Sequence, residues 1–442
     1  MGPKVDPVAS DTTLPERVDV VVIGGGIAGV SATWALAQKG ISVALCEKGE
    51  IAGEQSSRNW GWCRKMGRDP REIPLIIESM RLWQGMNEAV GAETGFRVTG
   101  IAYLCEDEAD VARREKWLEY AQPYQLDTRL IGSDEVAALY PQAKQRYRAA
   151  LYTKTDGRAE PQKAGPAIAE AARRAGAHIL TNCAVRGLEQ QGGRVSGVVT
   201  EKGRIACGSV LLAGGSWSRL FCGNLGVALP QLKVRSSVLR TEPLDNGPEV
   251  AASGGGFAFR KRLDGGYTIA NLNASVTEIV PDSFLLGLRF MRLWRSGQAT
   301  VKLRLSERFL EEARLKRRWT MDQVTPFELT RTLDPYPLEK VNNQALRKLR
   351  AAFPMFEQAR VAQQWAGMID VTPDAVPVIS PVESVPGFFV ATGFSGHGFG
   401  IGPGAGRLAA DLVSGDSPIV DPTPFRLQRF LDGSPTQVMV GV

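Results

Sequence analysis

Apolar residues near the start of the chain form two short runs with a helical stretch between them. The runs cover residues 18–23 and 41–46, and the helical stretch covers residues 30–39. Short runs rich in β-branched residues are typical of strands buried on both faces of a parallel sheet. The pattern therefore predicts a strand–helix–strand unit in this part of the chain.

A glycine-rich turn joins the first predicted strand to the helix. Its sequence is Gly24-Gly25-Gly26-Ile27-Ala28-Gly29. Glycines let backbone N–H groups approach a pyrophosphate at the N-terminus of a helix. Glu47 follows the second strand, eighteen residues past Gly29, where a carboxylate suits the two hydroxyls of an adenosine ribose. An ordinary strand–helix turn would not account for Glu47, so this order of elements predicts a dinucleotide site.

We expect residues 1–16 to form a disordered leader. Beyond the strand–helix–strand unit, the pattern alternates between helices and strands. Helices are predicted at residues 73–90, 107–120, 133–140 and 162–175, and a glycine loop with a closing helix at 393–413. Strands are predicted at residues 96–104, 177–181, 209–217, 362–369 and 388–392, with a hairpin at 195–205. The strands at 362–369 and 388–392 are expected to return to the nucleotide-binding sheet.

Positive charge is concentrated in one internal segment. The chain has 442 residues and a net charge of +6, and residues 283–319 contain ten Lys or Arg against three Glu. Apolar and Arg positions at helical spacing in residues 285–295 could place a helix on a membrane surface. The simpler interpretation, which we favour, is a helix of a second domain whose cations are solvated or face a neighbouring subunit.

Cysteine and histidine usage narrows the possible chemistry. The six cysteines form no C-x-x-C pair, which predicts reduced thiols in a cytoplasmic protein rather than disulfides or zinc. With two histidines in the chain, we expect no metal site. The first residues lack an apolar secretion signal, and no run approaches the roughly 18 apolar residues of a membrane span.

Three further segments carry distinctive motifs. They are Asp156-Gly-Arg-Ala-Glu-Pro161, the run from Leu211 to Trp217, and Trp365-Ala-Gly-Met-Ile-Asp-Val-Thr-Pro-Asp374 followed by Gly393-Phe-Ser-Gly-His-Gly-Phe-Gly-Ile-Gly-Pro403. With these motifs and the glycine turn, the chain resembles the glycine oxidase / D-amino-acid oxidase family of FAD-dependent oxidoreductases, which includes sarcosine oxidases and amine dehydrogenases. A second glycine loop near the C-terminus suits a flavin, whose ring lies far from the adenine and needs a backbone cradle of its own.

The resemblance implies an α/β fold with two domains. One is a discontinuous, Rossmann-like FAD-binding domain at residues 17–95, 149–230 and 355–430. The other is an inserted α+β substrate domain at residues 96–148 and 231–354, built on a mostly antiparallel sheet. The bound FAD is expected to be non-covalent.

The resemblance also assigns the residues that contact FAD. Residues 56–59 would lie beside the pyrophosphate and ring, Val185 near the adenine, and residues 213–215 against the ribityl side. His397 would lie near the flavin, either as a donor to the reduced ring or as a brace of its loop. The complete set is Gly24, Gly26, Ile27, Ala28, Gly29, Glu47, Lys48, Ser56, Ser57, Arg58, Asn59, Val185, Ala213, Gly214, Trp217, Gly396, His397, Gly398, Gly400 and Ile401.

The loop at residues 60–65 follows the predicted flavin-binding segment and is our candidate for a wall of the substrate pocket. Trp62 could hold an alkyl chain and Arg64 a carboxylate. Alternatively, the tryptophans pack under the ring and Arg64 pairs with a phosphate or an aspartate. Tyr267 and Trp365 are further pocket candidates, and His397 completes the set of candidate catalytic residues.

The family's chemistry implies oxidation of a C–N bond in a small-molecule amine or amino acid, N-substituted or of D configuration. A hydride passes to flavin N5, and the resulting imine hydrolyses. The chain departs from the family in three respects. No Arg precedes Thr372-Pro373 to hold a carboxylate, and Gly367 and Gly400 occupy the positions of a flavin-linking Cys and a Lys in monomeric sarcosine oxidases. Because the Lys is missing, the sequence leaves open whether oxygen or another molecule accepts the electrons from the reduced flavin.

Two alternatives remain open at this point. The chain could be the flavoprotein subunit of an electron-transferring dehydrogenase complex, which the missing Lys and the basic segment favour. It could instead act on tRNA, as some relatives do, but the sequence contains no recognisable RNA-binding module. We expect no nucleic-acid partner, and the sequence leaves the oligomeric state open.

Overall fold

The computed structural model of the protein describes residues 2–272, 275–296 and 301–439. Met1 of the predicted leader and positions 297–300 of the basic segment lie outside the described residues. The strands, in chain order, are β1 Val20–Ile23, β2 Val43–Cys46, β3 Trp62–Cys63, β4 Arg97–Val98, β5 Ile101–Cys105, β6 Thr128–Gly132, β7 Ala149–Thr153, β8 Gly157–Arg158, β9 His178–Leu180, β10 Val185–Gln191, β11 Arg194–Thr200, β12 Gly203–Ala206, β13 Ser209–Leu212, β14 Leu232–Thr241, β15 Ala251–Gly254, β16 Phe257–Lys261, β17 Tyr267–Ala270, β18 Ser275–Glu278, β19 Val301–Arg304, β20 Val361–Val371, β21 Val378–Pro381 and β22 Phe388–Thr392.

The helices pack against one another and against the strands. In chain order they are α1 Ile27–Gln38, α2 Gln55–Arg58, α3 Ile73–Gln84, α4 Met86–Ala89, α5 Glu108–Ala121, α6 Ser133–Leu139, α7 Pro161–Arg174, α8 Ser218–Asn224, α9 Pro281–Arg295, α10 Arg308–Arg314, α11 Pro326–Leu329, α12 Glu339–Ala352 and α13 Gly398–Ser414. Within the described ranges, no helix has both the length and the apolar character that crossing a membrane requires.

The nucleotide-type unit is a six-stranded sheet with the order β21-β22-β13-β1-β2-β9. Strand β1 pairs in parallel with both β2 and β13, so these three strands point the same way. Their carboxyl ends therefore meet at one edge, where Gly24, Glu47 and Ala213 follow directly. This edge is where ligands bind in open α/β sheets.

Helix α1 lies against this sheet and packs on the glycine-rich helix α13. An added Cβ at Gly402 would come 2.6 Å from Cγ1 of Ile27, and one at Gly406 would come 2.5 Å from Cβ of Ser31. Only residues without a side chain allow so close an approach of the two helices. The packing holds the loop before α13 beside the glycine turn before α1, although nearly 370 residues separate them in the chain.

A larger, mostly antiparallel sheet forms the second layer. Its order is β19-β18-β14-β17-β16-β15-β5-β7-β6, with β20 also paired to β14. The prediction that the strand at 362–369 returns to the nucleotide-binding sheet is wrong, because β20 pairs antiparallel with β14 from Leu232↔Val371 to Thr241↔Val361. Strand β7 also lies in this sheet, between β5 and β6, although the predicted boundary at residue 149 assigned it to the other domain. The remaining domain boundaries stay predictions.

Three local predictions need correction. Residues 2–16 are packed rather than disordered: the N–H groups of Asp6 and Asp11 donate to the carbonyls of Gln162 (3.0 Å) and Ile179 (2.7 Å). The helix expected at 73–90 is divided at Gly85 into α3 and α4. The strand expected at 96–104 is two strands in different sheets, because the chain turns at Gly100, where φ is +76°.

The basic helix predicted at residues 285–295 is confirmed as α9. It buries Leu286 and Leu293, while other apolar side chains are exposed. The exposed ones are Phe284, Leu285, Leu288 and Trp294. Arg289 and Arg292 donate to the carbonyls of Phe430 and Thr436, both at 3.0 Å, so these cations hold the C-terminal segment. The membrane-surface alternative stays a prediction.

Candidate active site

The edge where β1, β2 and β13 end forms a cleft, which we call the glycine cleft. Fourteen of the residues that the sequence assigns to the cofactor line it: Gly24, Gly26, Ile27, Ala28, Glu47, Lys48, Ser56, Asn59, Val185, Ala213, Gly214, Trp217, Gly396 and Gly398. These residues come from both glycine turns and from the loops between them. The structure thus brings the two turns to one cleft.

The backbone geometry of the first glycine turn leaves no room for a side chain at two of its positions. Gly24 has φ of +106°, and an added Cβ would lie 2.5 Å from the carbonyl oxygen of Ala213. A Cβ at Gly29 would lie 2.0 Å from the carbonyl oxygen of Gly24. Gly29 does not line the cleft, but its missing side chain lets the turn close against Gly24. The resulting turn leaves the N-terminus of α1, with its partial positive charge, open to an anion.

Glu47 lies at the end of β2 and faces the same cleft. Its two carboxylate oxygens accept hydrogen bonds from the N–H groups of Gly25 and Gly49, each at 2.7 Å. Burial raises the pKa of the Glu47 carboxyl, while Lys48 and the two N–H donors oppose that rise. These bonds fix the carboxylate where the sequence predicts a ribose contact.

A small polar cluster closes one side of the cleft. The ammonium of Lys48 lies 2.6 Å from Glu54 and 4.5 Å from the centre of the Trp217 ring. The Trp217 Nε1–H donates to both oxygens of Glu54 at 3.0 Å. Lys48 and Trp217 were predicted as cofactor contacts, and the sequence analysis missed Glu54, which links them.

Five other predicted cofactor residues do not line the glycine cleft. Ser57 and Ile401 are fully buried: the Ser57 hydroxyl donates to the carbonyl of Glu54 at 3.1 Å, and Ile401 packs in the apolar core. Their contact with the cofactor stays a prediction. Arg58, His397 and Gly400 instead line a neighbouring cavity.

That neighbouring space, the large cavity, has a volume of about 800 Å³. It lies between the antiparallel sheet, α9 and the loop before α13. Its walls are largely apolar and include Val234, Val238, Leu272, Phe290, Leu293 and Ile369. The glycine cleft and the large cavity share Gln55, Asn59, Gly396 and Phe399. A group bound along the cleft would therefore end at the cavity.

The predicted wall at residues 60–65 does line the large cavity, through Trp60, Trp62 and Arg64. Trp62 lies edge-to-face with Trp60, with ring centroids 5.5 Å apart. The Arg64 guanidinium donates to the carbonyl of Met66 at 2.5 Å and lies 5.7 Å from the centre of the Tyr103 ring. Among the described residues, no carboxylate pairs with Arg64, so the predicted alternative of an aspartate partner is wrong.

Tyr267 and Trp365 do not reach either space, so their prediction as pocket residues is wrong. Tyr267 is buried in an aromatic cluster, and its hydroxyl donates to the carbonyl of Pro248 at 3.2 Å. Trp365 is buried beside Val238 and Trp60, and its Nε1–H donates to the carbonyl of Arg58 at 3.0 Å. Whether a strand residue faces a cavity depends on the strand register, which single residues do not reveal.

The loop before α13 is fixed by Asp370, a residue that the sequence analysis missed. One carboxylate oxygen of Asp370 accepts from the N–H of Gly393 at 2.6 Å and from the hydroxyl of Thr392 at 3.2 Å. Burial raises the pKa of Asp370, and these donors counteract that rise. Its position in β20, two residues before Thr372-Pro373, was the available signal.

His397, at the end of that loop, faces two further residues that were missed. Arg68 and Glu72 are both buried, and they reach His397 from the segment that leads into α3. Glu72 lies 3.3 Å from Nδ1 of His397, and Arg68 donates to the carbonyl of His397 at 3.1 Å. The signal in the sequence was an Arg and a Glu four residues apart just before an amphipathic helix.

Comparison with known proteins identifies the family of this chain. A family model described as DAO, FAD dependent oxidoreductase, matches residues 19–412. The chain belongs to the DAO family. The resemblance to glycine oxidase-type flavoenzymes is thereby confirmed, as are FAD as the cofactor and the oxidation of a C–N bond in an amine or amino acid.

Several DAO-family proteins are similar over nearly the whole chain. The L-amino acid deaminase of Proteus myxofaciens, solved with anthranilate, is 36% identical, with a TM-score of 0.93 over 97% of this chain and 96% of that one. The L-amino acid deaminase of Proteus vulgaris is 34% identical, with a TM-score of 0.92 over 97% of this chain and 100% of that one. The sarcosine oxidase subunit beta of Rhodobacter capsulatus is 26% identical over 95% of this chain and 90% of its own length.

The residues present fit FAD. The turn at Gly24 and Gly29 has no room for a Cβ, as expected of a backbone cradle for a pyrophosphate. Where the cleft meets the large cavity, the buried Oε1 of Gln55 has no hydrogen-bond partner among the described residues. The residues that would hold FAD are therefore those of the glycine cleft and of the loop before α13. Non-covalent binding, with Gly367 where a linking Cys would stand, stays a prediction.

Proposed function

We propose that the protein is an FAD-dependent L-amino acid deaminase, which converts an L-α-amino acid to a 2-oxo acid and ammonia. The observation that carries the proposal is the junction of the glycine cleft with a cavity of about 800 Å³. This volume suits an amino acid with a large apolar side chain. The likeness to the two Proteus deaminases, at 36% and 34% identity over the whole chain, supports the L configuration.

The charges of the large cavity support an anionic substrate group. Arg64 and Arg68 line one side, next to His397, whereas the acidic residues Asp69 and Asp374 are both paired with Arg71. A substrate carboxylate at Arg64 would replace the hydrogen bond to the Met66 carbonyl with a stronger, charge-assisted one. The side chain would then extend along the apolar wall towards α9.

The proposed reaction is an oxidation to an imine followed by hydrolysis, which consumes one water molecule. The Cα–H bond breaks with its electron pair and the amine loses a proton, so the amino acid becomes an imino acid. FAD, when bound, supplies the hydride acceptor. Water then adds to the imine, and ammonia leaves to give the 2-oxo acid. The protein residues position Cα and exclude bulk water. When the bound amine is neutral, hydride transfer needs no strong base, and this positioning suffices.

Anaerobic reduction of the flavin tests the substrate class. We expect L-phenylalanine or L-leucine to bleach the bound flavin, and the D enantiomers to do so at least ~100-fold more slowly, a difference of about 2.7 kcal/mol in barrier. Phenylpyruvate and ammonia should accumulate in equal amounts once an acceptor is supplied. Faster bleaching by D-amino acids or by sarcosine would contradict the proposal and favour the other substrates predicted from the sequence.

The same assay addresses the alternative of an electron-transferring complex. Bleaching by an L-amino acid with the purified chain alone supports a self-sufficient active site. Bleaching that requires a second, co-purified chain would instead support the complex subunit.

Replacing Arg64 with methionine should raise KM for the amino acid by about 10- to 100-fold, because a hydrogen bond to a charged group contributes about 1.5–3 kcal/mol. The limiting rate of flavin reduction should change less. Arg114 is a matched control, because its guanidinium lies 4.6 Å from the same Tyr103 ring but lines no part of the cavity. A KM that is equal in R64M and R114M would show that another group holds the carboxylate.

A further inference from the structure

We propose that Glu72 is a positioning residue for His397: its carboxylate holds the proton on Nδ1 and thereby directs Nε2 away from Glu72, towards the large cavity. The proposal goes beyond the L-amino acid assignment and holds for any amine substrate. His397 is placed at the cavity by the structure, whereas Glu72 lies behind it and touches neither space.

The geometry is that of a histidine with a buried acid behind it. The Glu72 side chain is fully buried, and its Oε2 lies 3.3 Å from Nδ1 of His397, whose side chain is 19% exposed. Both carboxylate oxygens of Glu72 and Nδ1 of His397 are buried without a hydrogen-bond partner of ideal geometry among the described residues, so the 3.3 Å contact is the closest approach between a donor and an acceptor for these atoms. A fully buried carboxylate without a donor is costly, so the ring N–H is the donor that best accounts for its position.

Arg68 fixes the backbone of the same histidine. Its guanidinium donates to the His397 carbonyl at 3.1 Å and to the Arg64 carbonyl at 3.2 Å. Gly400 makes room for it, since a Cβ there would lie 3.0 Å from a guanidinium nitrogen of Arg68. The glycine that replaces the Lys of monomeric sarcosine oxidases thus admits a buried arginine. Arg68 holds the loop, and Glu72 holds the ring.

Arg68 is also the alternative partner of Glu72. The closest guanidinium nitrogen lies 3.6 Å from the same Oε2, four residues earlier in the chain. That distance is longer than the one to His397, and Arg68 directs its hydrogen bonds to backbone carbonyls instead. If Glu72 only neutralised Arg68, the neutral His397 ring would have no preference for a proton on Nδ1, whereas a positioning role requires that tautomer.

The groups that face His397 set the sign of that shift. Burial lowers the pKa of His397, Glu72 raises it, and Arg68 and Arg64 lower it further. Loss of the Glu72 charge leaves burial and two cations acting on the ring. The imidazolium would then lose its proton at a lower pH. Only the imidazolium carries a donor at Nε2, because a neutral ring protonated on Nδ1 leaves Nε2 as an acceptor. By favouring the imidazolium, Glu72 favours a donor that can stabilise negative charge at the cavity during oxidation.

Histidine NMR provides a direct test because the chain contains two histidines, His178 and His397. With ¹³C,¹⁵N-labelled histidine in the holoprotein, we expect the neutral form of His397 to carry its proton on Nδ1. In E72Q, the His397 pKa should fall by about 1–3 units, the usual effect of removing an opposite charge at this distance. The signals of His178, which lies 3.2 Å from Asp11 at the surface, serve as the internal reference.

Two controls separate positioning from structure. E78Q removes a carboxylate of α3 that is paired only with Arg81 among the described residues, and it should leave His397 unchanged. The pH profile of anaerobic flavin reduction should shift in E72Q by as much as the NMR titration does, and E72Q should add no shift to H397N. An unchanged His397 titration in E72Q would overturn the proposal. If E72Q does not fold, a wild-type His397 protonated on Nε2 alone would overturn it equally.

Discussion

Replacing Gly29 with alanine is expected to yield a folded protein that purifies without its flavin. The added methyl would lie 2.0 Å from the carbonyl oxygen of Gly24, so the turn that cradles the pyrophosphate must open. Overpacking of this kind costs about 1–3 kcal/mol, which corresponds to a loss of FAD affinity of up to about 100-fold. Titration of the apoprotein with FAD, followed by flavin fluorescence, measures the effect.

Gly223 supplies the control for this experiment. It lies in α8, next to the same sheet, but a Cβ there would meet no atom within 4 Å. We expect G223A to bind FAD like the wild type. If G29A took up FAD as tightly as G223A, the glycine cleft would not be the pyrophosphate site, and the assignment of both glycine turns would need revision.

The nucleotide-type half of the fold could be predicted because its signals are local. A buried strand, a turn without side chains, a helix and an acid occupy fewer than thirty consecutive residues around Gly24–Glu47. Each step follows from backbone sterics or from the charge at a helix terminus. The strand at 361–371 was misassigned for the opposite reason. Its partner β14 lies about 130 residues away, and only the strand register shows which sheet it joins.

The same distinction holds within the active site. Trp62 and Arg64 could be predicted because they directly follow a recognised segment. Arg68 and Glu72 could not, because their relation to His397 spans more than 320 residues and depends on how α3 packs against α13. Tyr267 was predicted as a pocket residue from its place on a strand of the second domain, but its side chain packs in an aromatic cluster instead.

The motif at residues 156–161 has a physical role that its sequence does not disclose. Glu160, which precedes α7, is buried against Arg260 of β16 and joins the start of that helix to the antiparallel sheet. Its carboxylate accepts from the Arg260 guanidinium at 2.7 and 3.1 Å and from the N–H of Leu263 at 2.9 Å. Burial opposes ionisation of Glu160, but Arg260 and Arg262 outweigh it and lower the pKa of that carboxyl to about 2.

Changing Glu160 to glutamine should therefore destabilise the protein by about 3–5 kcal/mol at pH 7, because it leaves Arg260 buried without a counter-charge. Since the folded-state pKa of about 2 lies below the ordinary value of about 4.3, the stabilisation is complete above pH ~5 and is lost as the pH falls towards 2. The difference in urea midpoint between wild type and E160Q should shrink over that range. E135Q, which breaks an exposed pair with Arg129, should leave the midpoint unchanged at every pH. A difference between wild type and E160Q that does not vary with pH would show that Glu160 is not the ionised partner of Arg260.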